Sequence, residues 1–146
     1  MRRGVRLKLT VPLRAQHDEL LALAGELQPL LDPGHVAGEA ERIHAQLARF
    51  FGLVNVHLAL EDKLLYTKLA AHERRDVAEL ARRFTEEWGS LRTSVKELEQ
   101  RWDAPEKLAA QPDDFVRELE ALLATSRRRI ERENVEVYDL ADRLGL

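Results

Sequence analysis

Four stretches of this chain carry apolar residues at steps of three and four, and that spacing constrains the fold more than any other feature. Such steps keep apolar side chains on one face of an α-helix. Alternation at period two, the mark of a half-buried strand, is weak throughout. The spacing predicts helices over residues 12–31, 36–71, 76–102 and 114–144. Pro12 suits a first-turn position, and Pro29 shortens the last turn of the first helix. Asp32, Pro33 and Gly34 break the chain. Residues 72–75 make a short connection. Asp76 and Glu79 have capping-box spacing at the start of the third helix. Residues 103–113, bracketed by Pro105 and Pro112, read as a loop with room for one loose turn. Long helices on mostly short connections pack as antiparallel neighbours, so the expected fold is all-α, a four-helix up-down-up-down bundle.

Composition narrows the chemistry. The 146 residues are expected to form one domain, with residues 1–10 as a short basic arm. There is no cysteine, which excludes disulfides, zinc–thiolate sites and thiol catalysis. With 23 basic and 26 acidic residues the net charge is −3, so no nucleic-acid partner is expected. No stretch reaches the roughly 20 apolar residues of a membrane span. The N-terminus lacks the pattern of a signal peptide. A cytoplasmic location is expected.

Polar residues interrupt the apolar stripes at matching depth. VHLALEDKLLY, residues 56–66, puts His57 and Glu61 four apart on one helical face. His17 on the first stripe and Glu133 on the fourth fall on the same seam. An internal echo supports the alignment: HLALEDKLLY (57–66) lines up with RIERENVEVY (129–138). Glu61 then matches Glu133, Tyr66 matches Tyr138, and His57 matches Arg129. At almost the same offset QHDEL (16–20) lines up with EWGSL (87–91), pairing His17 with Trp88. The halves read as related hairpins, the first of which keeps two histidines.

Two imidazoles and two carboxylates suit iron, manganese or zinc. Buried carboxylates need a compensating charge, and a metal ion is one. Arg129, one turn before Glu133, is another: a guanidinium paired with Glu61 and Glu133 makes a metal-free network, with Trp88 filling the remaining volume. Glu87 is a further candidate ligand. Tyr66 and Tyr138 read either as donors to the ligands or as bundle-end residues with wet hydroxyls. His35, His44 and His72 are expected in solvent, as are Arg127 and Arg128. Phe51, Leu53 and Leu58 are open to two readings, packing between helices or a dimer face.

The chain resembles a hemerythrin-like domain, the HHE cation-binding type, on AQHDELL, VHLALEDKLLY, FTEEWGSL and RIERENVEVYDLAD. The resemblance runs over residues 11–144. It implies a four-helix bundle around a non-haem di-iron site, and roles in oxygen, nitric oxide or iron sensing, storage or transport. By the resemblance, His17 takes the place of the first-helix histidine, His57 and Glu61 the second-helix pair, and Glu133 the fourth-helix carboxylate. Trp88 stands where the family has a third-helix histidine, Phe84 where some members have another, and Arg129 where the fourth-helix histidine belongs. The expectation is therefore a metal-binding or sensing module with a reduced, mononuclear site of His17, His57, Glu61 and Glu133. It would hold iron, or manganese or zinc, and take O2 or NO as ligand. The rivals are a metal-free bundle acting through a protein partner or as a homodimer, and an enzyme of oxidase or peroxidase type.

Overall fold

The computed structural model describes residues 7–146. The first six residues of the expected basic arm lie outside that range. Every regular element among the described residues is helical. The order is α1 (Thr10–Leu27), α2 (Pro33–Gly38), α3 (Ala40–Glu61), α4 (Thr67–Ala70), α5 (Arg75–Arg101), α6 (Pro105–Ala110), α7 (Pro112–Glu133) and α8 (Asp139–Arg143). Single π-helical turns, Asp62–Tyr66 and Asn134–Tyr138, join α3 to α4 and α7 to α8.

The all-helical class agrees with the sequence pattern; a count of four does not. Asp32 accepts the backbone N–H of His35 and Pro33 follows it, which starts α2 as a separate helix. Glu39, at φ −125° and ψ 32°, then leaves the helical region before α3 begins. Pro105 starts α6 in the same way, in the segment expected to hold only a loose turn. Asp76 does not cap α5. Arg74 holds that position in extended backbone, and Asp76 lies in the first turn, where its charge complements the helix dipole and pairs with Arg74.

The echo between halves is structural. The bounds of α2, α3 and the first π-turn recur 72 positions later in α6, α7 and the second π-turn. Each π-turn inserts one extra residue into the helical repeat and rotates the next stretch of helix about its axis. The apolar stripe therefore moves. Leu65, Tyr66 and Leu69 are buried where plain α-helix would bury Leu64 and Lys68, and Lys68 is exposed. After Glu133 the buried set is Val137, Tyr138 and Ala141 rather than Leu140 and Leu144.

The core runs through all the long helices, with Leu13, Leu47, Phe84, Phe115 and Leu119 at 2 % exposure or less. Phe51 and Leu58 are buried in it and Leu53, partly exposed, packs against it, so all three take part in packing between helices. Arg14 joins α1 to α8 through Asp139 and Asp142, at 2.9 and 3.0 Å, and the Thr10 hydroxyl donates to Asp142. No helix among the described residues is long and apolar enough to cross a membrane.

Candidate metal centre

α1 supplies His17, α3 supplies His57 and Glu61, and α7 supplies Glu133, all at 2 % exposure or less. One donor atom from each lies within 4.8 Å of every other. His17 Nε2 is 2.9 Å from Glu133 Oε1, and His57 Nε2 is 3.1 Å from Glu61 Oε2 and 4.0 Å from Glu133 Oε1. The four residues read from the sequence thus meet inside the protein.

The outer nitrogens fix how the rings present themselves. His17 Nδ1 lies 2.7 Å from the Asn134 side-chain oxygen, and His57 Nδ1 lies 2.7 Å from the Gln16 side-chain oxygen. An amide oxygen only accepts, so each Nδ1 is the protonated nitrogen and donates outward. Each Nε2 then turns inward, the nitrogen available to a cation.

Glu133 divides its oxygens between two tasks. Oε2 accepts from the Tyr66 hydroxyl and, at 2.7 Å, from the Trp88 indole N–H. Oε1 is buried and faces only the two imidazoles, with His17 Nε2 at 2.9 Å and His57 Nε2 at 4.0 Å. A buried carboxylate oxygen met only by two imidazole nitrogens is satisfied either by protons on those rings or by a cation in their place. Metal–donor bonds of about 2.0–2.2 Å allow opposite donors roughly 4.4 Å apart, so the cluster need contract by only about half an ångström. The residues fit a metal ion.

Tyr66 and Tyr138 are not wet bundle-end residues. They are 4 % and 0 % exposed, and the π-turns bring each inward five positions after its glutamate. Their bonds cross between halves: Tyr66 donates to Glu133, and Tyr138 donates to Glu61. The glutamate-to-tyrosine spacing of five is visible in both halves of the sequence. Its meaning depends on the inserted residue, which helical periodicity alone does not reveal.

Protons hold the cluster together when no metal does. Burial opposes a charge on His57, but hydrogen bonds with Glu133 and Glu61 outweigh it and raise its pKa to about 9. Burial, helped by the neighbouring Glu133 charge, raises Glu61 to about 8. Burial also disfavours the Glu133 carboxylate, yet hydrogen bonds with His17 and His57 hold its pKa well below the usual range. Burial, with Glu133 and Glu61 nearby, pushes both phenols far above the range of free tyrosine.

The second half is filled by side chains that bind no metal. Arg129 donates to Glu87 at 2.8 Å and to the Phe84 carbonyl at 2.9 Å, with its guanidinium carbon 4.0 Å from the Trp88 ring centre. It makes no direct salt bridge with Glu61 or Glu133, contrary to the metal-free pairing considered from sequence. Glu87 is exposed and pairs with Arg129 and Arg132, so it stands outside the cluster. His35, His44 and His72 also lie outside it. Trp88→Phe removes the N–H on Glu133 while keeping a ring in place. The expected result is roughly 10- to 100-fold weaker metal binding, read by competition with a chromogenic chelator.

The family model of the hemerythrin HHE cation-binding domain matches residues 9–141. No curated protein and no solved structure matches the chain.

Proposed function

The chain belongs to the hemerythrin HHE cation-binding family, and from that premise we propose that it is a metal-binding or sensing module with a single non-haem iron. The observation behind this reading is the convergence of His17, His57, Glu61 and Glu133, with the Glu133 Oε1 atom facing only the two imidazoles. Phe84, Trp88 and Arg129 occupy the positions that would complete a second ion, which favours one ion over two. The mixed nitrogen and oxygen set suits iron, with manganese and zinc as competitors.

The chain's own residues prepare the centre. Asn134 and Gln16 orient the imidazoles. Tyr66 and Trp88 hold one oxygen of Glu133 and leave the other for the ion. Leu20, Phe50, Val54, Leu58 and Ile130 join both histidines around a small apolar cavity of about 30 Å³. That room accommodates a diatomic molecule such as O2 or NO, and the largely apolar lining gives little to hold water. Bound iron supplies Lewis-acid and one-electron chemistry there.

Metal analysis of protein purified without chelators tests the reading. About one transition-metal ion per chain is expected, lost in His57→Ala and in Glu61→Gln. A wild-type preparation that stays free of metal after exposure to ferrous, manganous and zinc salts would overturn it.

A further inference from the structure

Tyr138 stands in a different relation to the centre from Tyr66. The Tyr66 hydroxyl meets Glu133 Oε2 and the Trp88 indole nitrogen, 3.3 Å away, on the side turned from the imidazoles. The Tyr138 oxygen lies 3.2 Å from His17 Nε2 and 3.5 Å from His57 Nε2, and it hydrogen-bonds Glu61 Oε2. Donors roughly 2.0–2.2 Å from one ion lie about 2.8–3.6 Å apart when adjacent. The phenol oxygen therefore stands to both imidazoles at the spacing of an adjacent donor to the same ion.

We infer that Tyr138 is a fifth ligand of the proposed metal, and that the centre is built to hold a trivalent ion. The inference rests on the metal-binding reading above. Two carboxylates and a phenolate carry three negative charges, which a trivalent ion balances inside a buried site. A divalent ion is balanced by the carboxylates alone and leaves the phenol protonated. When ferric iron loads, an Fe–O bond replaces the phenolic O–H bond, and that proton passes to solvent. No electron moves in this step.

The surroundings of the ring agree. The His17 ring stacks on it at 4.8 Å with a 12° interplanar angle. The Arg14 guanidinium lies 5.5 Å from the ring centre, a cation–π contact that helps fix the ring in place. Asp139 and Asp142 hold Arg14 in that position. Helical rotation at the second π-turn aims the phenol inward, so the inserted residue itself places the extra donor.

The experiment loads metal-stripped protein with ferric nitrilotriacetate and records visible absorption and resonance Raman spectra. The expected result is a phenolate-to-iron charge-transfer band with tyrosinate ring vibrations. Tyr138→Phe should lose the band entirely and weaken ferric binding on the order of 100-fold, while zinc binding stays near that of the wild type. Tyr66→Phe should keep the band. Should Tyr138→Phe fold poorly, 3-fluorotyrosine placed at position 138 shifts the band in an otherwise native chain. Iron bound at one per chain with no band, or a band that survives Tyr138→Phe, overturns the inference and leaves the metal reading standing. A wild type that takes up neither iron nor zinc overturns both.

Discussion

Zinc added to metal-stripped protein will raise its melting temperature by roughly 10 °C when the free ion is held at about 1,000 times its dissociation constant. The gain comes from linkage: an ion that binds only the folded chain stabilises it by about 4 kcal/mol at that excess. Zinc is the cleaner probe because it has no redox chemistry of its own. At one fixed free-zinc concentration the gain should also grow with pH. His57, at about 9, lies above the ordinary histidine value, and Glu61, at about 8, lies above the ordinary carboxyl value. A group raised by folding contributes stability below its unfolded pKa and loses it as pH rises through the folded one. The metal-free fold therefore weakens from about pH 4.5, where the Glu61 contribution starts to go, to about pH 9, where that of His57 is lost. The zinc form holds no such protons and does not weaken for this reason. Scanning calorimetry at pH 6 and pH 9 with and without zinc gives the comparison. An equal gain at both values would contradict the proton assignment, and no gain at either would contradict the site.

Restoring imidazoles to the second half will double the metal content. In Phe84→His/Trp88→His/Arg129→His, three imidazoles replace two rings and a guanidinium around Glu133. The expected stoichiometry rises from one ion per chain to two, measured by elemental analysis after gel filtration. Arg129→His alone would raise metal uptake only if position 129 pointed into the centre. The contacts give a different outcome for that single change. Arg129 lies against the face of Trp88 and reaches out to Glu87, while the edge of Trp88 occupies the space beside Glu133. An imidazole at position 129 alone meets the indole, so uptake should stay at one. The triple variant also deletes the N–H on Glu133 and the pairing of Glu87, so its melting temperature should fall unless metal is present. A folded triple variant that still binds one ion would show that the second half no longer has room for another.

The legibility of the molecule in its sequence differs by element. The apolar steps of three and four locate the long helices, because such a stripe has few ways to be buried. The same periodicity joins α2 to α3, since Val36 and Ile43 both lie on buried faces and nothing in Glu39 announces a break. His17, His57, Glu61 and Glu133 are legible because each interrupts an apolar stripe at a comparable depth. The fate of Arg129 is not. A long side chain on a buried stripe can reach inward or curl outward, and here the exposed Glu87 and the Phe84 carbonyl draw it out. Tyr66 and Tyr138 escape the pattern for another reason. Without the extra residue of each π-turn they fall off the seam, and only their matched spacing from a glutamate hints otherwise.

The crossed bonds of the two tyrosines bear on how the site assembles. Each phenol serves the carboxylate of the opposite hairpin, so neither hairpin closes its own polar centre. A separated half would bury a glutamate lacking its phenol donor, a cost that favours leaving it in water. Docking of the two halves and completion of the polar cluster are then one event. A half-length ancestor could have reached the same closure only by joining a second copy of itself.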